Sequence, residues 1–172
     1  ISVVKGGAKA IDFNRAGGFS INSTSKSGTN RFKGEIGYQA QSDSMVGDRE
    51  TSAAITVVKQ DRNRDWLTGN IGGPILRDAL YFYASAYRPT TQLDNRTNVY
   101  GAVPDSESVR DEYFGKLTWA PISSILLNGS YRTSERDGSG VGVGGLAAGT
   151  ISTGDDATQD IAIAEGSWVI NS

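Results

Sequence analysis

The run GVGVGG, Gly140 to Gly145, has the G-x-G-x-x-G spacing whose backbone amides cradle a dinucleotide pyrophosphate. That chemistry needs a strand before the run, a helix after it and an acidic residue about 20 positions on. LAAGTISTGDD follows instead and carries no amphipathic helical period, so the glycines read as loop. The acidic pairs Asp155 and Asp156, Asp111 and Glu112, and Asp48 with Glu50 offer oxygens for calcium or for an acid/base pair. Calcium takes roughly six to eight oxygens from a spaced loop, and the D-x-[DN]-x-[DN]-G spacing is absent, so solvated loop charge is the preferred account. DRNRD, Asp61 to Asp65, presents two guanidinium forks suited to an anionic ligand or phosphate. Its alternating signs favour a self-paired loop. With no His and no Cys, nothing pairs a nucleophile with a base, no thiolate holds zinc and no disulfide forms. No catalytic, cofactor-binding or metal-ligating residue is assigned, and the chain is expected not to be an enzyme.

Charge points the same way. A net charge of -2 and a sequence pI of 5.1, with no basic run, argue against a nucleic-acid partner. The 22 Gly are well above average usage for 172 residues, which suits an all-β or a disordered chain. Mean hydropathy is -0.35 and no long apolar run occurs, which excludes a transmembrane helix. It leaves a membrane barrel open, because only every second residue of a barrel strand meets lipid. The chain starts at Ile1 without an initiator Met or a leader pattern, and is expected to be a piece of a longer protein.

Period-two alternation decides for strands. Phe32, Gly34, Ile36, Tyr38 and Ala40 oppose Lys33, Glu35, Gly37, Gln39 and Gln41. The same rhythm runs over Leu67 to Ile75, Tyr113 to Trp119, Ile125 to Arg132 and Ile161 to Ile170. ALYFYASAYR, Ala79 to Arg88, is a β former by its aromatics, though its faces stay unassigned. The connections alternate too. LRD around Arg77 and PISS, Pro121 to Ser124, are tight turns, whereas Ser42 to Asp65, Pro89 to Glu112 and Thr133 to Asp160 are long polar stretches.

In an up-and-down antiparallel sheet this sorting puts every long loop at one end. Outer-membrane barrels are built that way, with strands of about 9 to 11 residues. Trp66, Tyr87, Tyr113 and Tyr131 fall at the long-loop strand ends, and Trp119 and Tyr81 near the tight turns, as two interfacial aromatic girdles require. Aromatics also cap strand ends in many β proteins.

Two blocks carry a family resemblance. AGGFSINSTSKSGTNRFKGEIGY, Ala16 to Tyr38, resembles the passage from plug domain to first barrel strand in TonB-dependent outer-membrane receptors, through Gly17, Gly18, Ile21, Asn22, Lys26, Ser27, Gly28, Thr29 and Asn30. Ser25 stands where Thr is more usual, and Ser23 where Val is common. LTGNIGGPILRDALYFYASAYR, Leu67 to Arg88, is similar to a hairpin of the Oar-like, carboxypeptidase-regulatory-domain-containing branch, through Gly72, Gly73, Pro74, Ile75, Asp78, Phe82 and Tyr87. The resemblance implies the end of a plug over residues 1–30 and the start of a transmembrane β-barrel, about six strands, over 31–172. It implies import of a scarce ligand (siderophore, vitamin, glycan or peptide) across the bacterial outer membrane. The implied partners are outer-membrane lipid, the inner-membrane TonB complex acting through a more N-terminal region, and that ligand. The polar faces with Lys33, Glu35, Gln39, Lys116 and Asn128 would meet the plug or water.

A surface-displayed or secreted β-sandwich that binds carbohydrate or protein is the rival reading. It explains strands and polar loops but not the sorted loop lengths or the two blocks. A hydrolase is the third, and would need residual turnover.

Overall fold

The computed structural model describes residues 2–5, 19–22, 26–47, 61–144, 146, 148–151 and 153–170. Two short strands, β1 (Ser2–Lys5) and β2 (Phe19–Asn22), pair antiparallel. The main body is a six-stranded antiparallel sheet of β3 (Lys33–Gln41), β4 (Asp61–Leu76), β5 (Leu80–Asp94), β8 (Ser106–Ile122), β9 (Ile125–Val141) and β10 (Thr153–Trp168). The two-residue strands β6 (Thr97–Asn98) and β7 (Gly101–Ala102) form a separate hairpin between β5 and β8. Spatial order follows chain order from β3 to β10, so each long strand pairs with the next.

The up-and-down expectation therefore holds, with tight turns at 77–79 and 123–124 and long connections at 42–60, 95–105 and 142–152. Strand length does not match expectation. β4, β5, β8, β9 and β10 run 15 to 17 residues, about 50–55 Å at ~3.3 Å per residue. Much of what reads as loop in Ser42 to Asp65, Pro89 to Glu112 and Thr133 to Asp160 is paired strand. Those portions alternate in charge sign instead of in polarity, and a search for apolar positions passes over them.

Register fixes the faces, because directly paired residues share one. One face carries Ile36 and Tyr38 of β3, Leu67 and Ile71 of β4, Phe82 and Ala84 of β5 and Leu117 and Trp119 of β8. Leu127 and Tyr131 of β9, with Ala162 and Ala164 of β10, continue it. The other face carries Lys33, Glu35, Gln39, Asn70, Lys116 and Asn128, so the polar positions read from alternation form one continuous surface. β5, unassigned by sequence, splits into Leu80, Phe82, Ala84 and Ala86 on the apolar face and Tyr81, Tyr83, Ser85 and Tyr87 on the polar one.

No layer covers the apolar face. Ile36 is 82% exposed, Leu117 51% and Trp168 68%, and among the described residues the buried apolar side chains are Val103 and Val143, both in the long connections. A sheet gains stability by burying one face, so this one is completed by something other than its own chain segments.

Aromatic residues bound the apolar band on two slanted lines. Tyr38 on β3, Tyr113 on β8 and Tyr131 on β9 make the loop-side line. Relative to the row of paired residues through Tyr38, Tyr113 lies two residues and Tyr131 four residues nearer the tight turns. Phe32, Phe82, Trp119 and Trp168 make the turn-side line with the same slant. Trp66, Tyr87 and Tyr81 lie on the polar face, which corrects their expected place in the girdles. Trp66, Tyr113 and Tyr131 also lie within strands rather than at their ends.

Loop-ward of the tyrosine line, charge replaces hydrophobicity as the sorted property. The face continuous with the apolar band carries Asp61, Asp65 and Asp94 on β4 and β5, and Glu107 and Asp111 on β8. Glu135, Asp137, Asp156 and Asp160 follow on β9 and β10, against the single cation Arg88 among the described residues of that region. The opposite face carries Arg62, Arg64, Arg110, Arg132 and Arg136 with Glu112 and Asp155.

Candidate functional site

Three groups of contacts organise the molecule at different heights. At the tight-turn end, the segment 26–32 joins the two resemblance blocks. The Asn30 side-chain amide donates to Asp78 Oδ1 at 2.6 Å, and Asp78 N donates back to Asn30 Oδ1 at 2.9 Å. Asp78 has φ +61° in the turn between β4 and β5, a left-handed conformation that Asp tolerates better than most residues. Asn30 thereby closes that turn from outside the hairpin.

Gly28 sits where no side chain fits. A Cβ there would lie 2.2 Å from the Phe82 carbonyl oxygen and 3.0 Å from that of Gly73. Gly72, buried, directs its own Cβ position toward Tyr83 and the Gly28 Cα, so the segment crosses on the polar face. Gly73 is covered by the Phe32 ring from the apolar face, where Phe32 and Phe82 rings stand 6.2 Å apart. The chain thus passes from the polar face at Gly28 to the apolar face at Phe32 around the edge of β4. Pro74 follows at the β-bulge between Pro74 and Leu76, beyond the last residue paired with β3, where its missing N–H orphans no acceptor.

The other block residues divide. Ile21 and Asn22 lie in β2, paired with Val3 and Ser2. Lys26, Ser27 and Thr29 are exposed along the crossing, where Thr29 Oγ1 hydrogen-bonds the Arg31 carbonyl. Ile75 is exposed at the bulge, and Tyr87 lies far up β5 on the polar face, away from the junction. Gly17, Gly18, Asp48 and Glu50 lie outside the described residues.

Midway up, the polar face holds an ion-pair ladder. Glu112 receives Arg110 Nε at 2.7 Å and Arg132 Nη2 at 2.7 Å, and Asp155 pairs with Arg136. Arg110 and Arg136 are directly paired across β8 and β9, a like-charge juxtaposition that the shared carboxylates offset. On the other face Arg88 lies 3.6 Å from Asp111. Asp111 and Glu112 therefore face opposite ways with separate partners, and among the described residues no acidic group is arranged to hold a metal ion. DRNRD is not a self-paired loop. It lies in β4, where the two-residue period sends Arg62 and Arg64 to one face and Asp61 and Asp65 to the other. Asp61 accepts from Asn95, and Arg62 and Arg64 make no ion pair among the described residues.

At the loop end, Arg96 ties two connections together. Its guanidinium donates to the carbonyls of Pro104 at 3.1 Å, Gly140 at 2.8 Å and Val143 at 3.0 Å. Gly140, with φ +64°, has no room for a Cβ against the Asp105 carbonyl, and Gly142 has φ +81°. GVGVGG is thus the end of β9 and a tight loop without a following helix. Sequence gives no signal for Arg96, since its partners are backbone carbonyls up to 47 positions away.

Compared with known proteins, the chain is 28% identical over 177 residues to the TonB-dependent transporter Oar of Myxococcus xanthus. The match takes in 85% of this chain and 16% of that protein, so the chain spans about a sixth of the relative's length. No family profile and no solved structure matches. The chain is distantly related to a TonB-dependent transporter, a relationship that suggests a transport-related receptor role and an outer-membrane setting.

Proposed function

We propose that the six-stranded sheet is part of the wall of an outer-membrane β-barrel in a TonB-dependent transporter, acting in ligand uptake rather than catalysis. The observation that carries this is the uncovered apolar face, bounded by two parallel aromatic lines and giving way to charge beyond the loop-side line. Tyr38 to Phe32 and Tyr113 to Trp119 each span six residue steps, about 20 Å along the strand, and the rings extend the band toward the ~25 Å apolar belt of such barrels. Lipid is the solvent such a face fits. The polar face then looks into the lumen.

In this reading residues 1–30 are the end of the plug, and Gly28 supports it by crossing on the lumenal side. The hydrogen-bonded pair Asn30 and Asp78 anchors the exit from plug to wall on the periplasmic side. Strand portions beyond the tyrosine line stand clear of the membrane, carrying loops tied by Arg96. Both sheet edges, β3 and β10, stay open for further strands, and closure removes the aggregation hazard of an exposed edge. The imported ligand enters from the loop end, and energy from the TonB complex displaces the plug.

Fractionation of cells expressing the full-length protein tests this. We expect it in outer membranes, with electrophoretic mobility in unheated detergent differing from that after boiling. Recovery as a monodisperse protein without detergent would sink the reading and favour a soluble β-sandwich.

A further inference from the structure

We propose that the arginine-bearing face above the tyrosine line is the entry surface for a ligand carrying several oxyanions, carboxylate or phosphate. The inference rests on the transport reading, because that reading makes this face the lumen wall. Five guanidinium groups, Arg62, Arg64, Arg110, Arg132 and Arg136, share one face of β4, β8 and β9. With β5 between them these strands span three inter-strand gaps, about 14 Å. Glu112 and Asp155 engage three of the five. Arg62 and Arg64 have no carboxylate among the described residues, so two forks stay available to an incoming anion.

The opposite face sharpens the selection. At the same height it presents nine carboxylates against Arg88, so an anion is repelled from the outer surface of the wall and attracted to the inner one. The origin is local and legible: DRNRD in a strand sends its two arginines one way and its two aspartates the other. Trp66, two residues from Arg64 on the same face, and Tyr87 beside it supply flat apolar surface for the carbon skeleton of such a ligand.

The test uses the full-length protein in phospholipid vesicles, with tripolyphosphate, tricarballylate and uncharged maltotriose as probes. We expect saturable binding of tripolyphosphate or tricarballylate, weakened by salt, and none of maltotriose; the tighter of the two anions identifies the oxyanion. Arg62→Gln with Arg64→Gln should weaken binding at least ten-fold, and Arg62→Lys with Arg64→Lys by no more than about three-fold. Glu135→Gln with Asp137→Asn, on the outer face, should change it less than two-fold. Binding of neither anion, retained affinity in the double Gln variant, or an equal and opposite effect of the outer-face pair overturns the proposal. Heat-modifiable mobility of every variant shows that the wall is intact. A soluble, detergent-independent protein would overturn the transport reading, while the same binding series would still decide the arginine surface.

Discussion

Asn30 and Asp78 stand 48 positions apart, yet each completes the other's hydrogen bonding at 2.6 and 2.9 Å. Asn30→Ala removes both bonds and leaves an exposed turn, a loss of about 1–2 kcal/mol. The expected readout is local: cleavage by trypsin at Lys26 or Arg31 rises about five- to thirty-fold while the rest of the sheet resists. Asn30→Asp should be worse at neutral pH, since a second carboxylate then faces Asp78, and the defect should ease as pH falls below the ordinary carboxylate range near 4. A pH-independent defect would remove charge repulsion as its cause. Gly28→Ala places a methyl group against the Phe82 carbonyl, so the crossing segment must lift from the polar face. We expect this change to open the same cleavage sites without altering the strands. The resemblance blocks made these residues visible in the sequence, but not that they touch. Asn30 and Asp78 meet only because the β4–β5 hairpin brings its turn back to the start of β3.

For the elements, the two-residue period was legible wherever one face is apolar and silent wherever both faces are charged. β3 was found nearly residue for residue, because Phe32 to Gln41 alternates apolar with polar. The upper part of β9, TSERDGSGV, was read as loop because acidic and basic residues alternate there and neither marks an interior. Its pairing with β8 and β10 holds it as strand regardless. The same logic makes substitution costs depend on parity. Ile36→Lys, on the apolar face midway between Phe32 and Tyr38, should cost about 2–4 kcal/mol in denaturant unfolding from phospholipid vesicles. Gln39→Lys, on the polar face of the same strand, should cost less than about 1 kcal/mol. Equal costs at the two positions would mean that lipid does not cover the apolar face.

Taken as a whole, the slanted aromatic lines carry a geometric consequence. A membrane boundary is a plane, so when strands tilt it cuts successive strands at shifted residues. Tyr38 to Tyr131 shifts four residues over four strand spacings, at ~3.4 Å and ~4.8 Å respectively, which gives a tilt of about 35°. Barrel strands tilt by about 35–45°. Polarised infrared spectra of the full-length protein in oriented bilayers should return a strand tilt in that range. Upright strands, or strands lying flat in the membrane plane, would show that the two lines are not membrane boundaries. Loop mobility belongs to the same scale. Arg96 donates to carbonyls on both sides of the 95–105 and 142–152 connections, so these two should move together.

The sequence by itself determined the strand count, the up-and-down order, the sorting of long and short connections and the identity of the lower faces. These follow from side-chain periodicity and turn chemistry, which act over a few neighbouring residues. Only the tertiary structure decided how far the strands run, which aromatics share a face, and that DRNRD divides its charges between the two sides of the wall. Register is the physical reason. A strand's parity relative to its neighbours is set by hydrogen-bonded pairing across the sheet, and a one-residue change would exchange every inward and outward side chain, arginines and aspartates included.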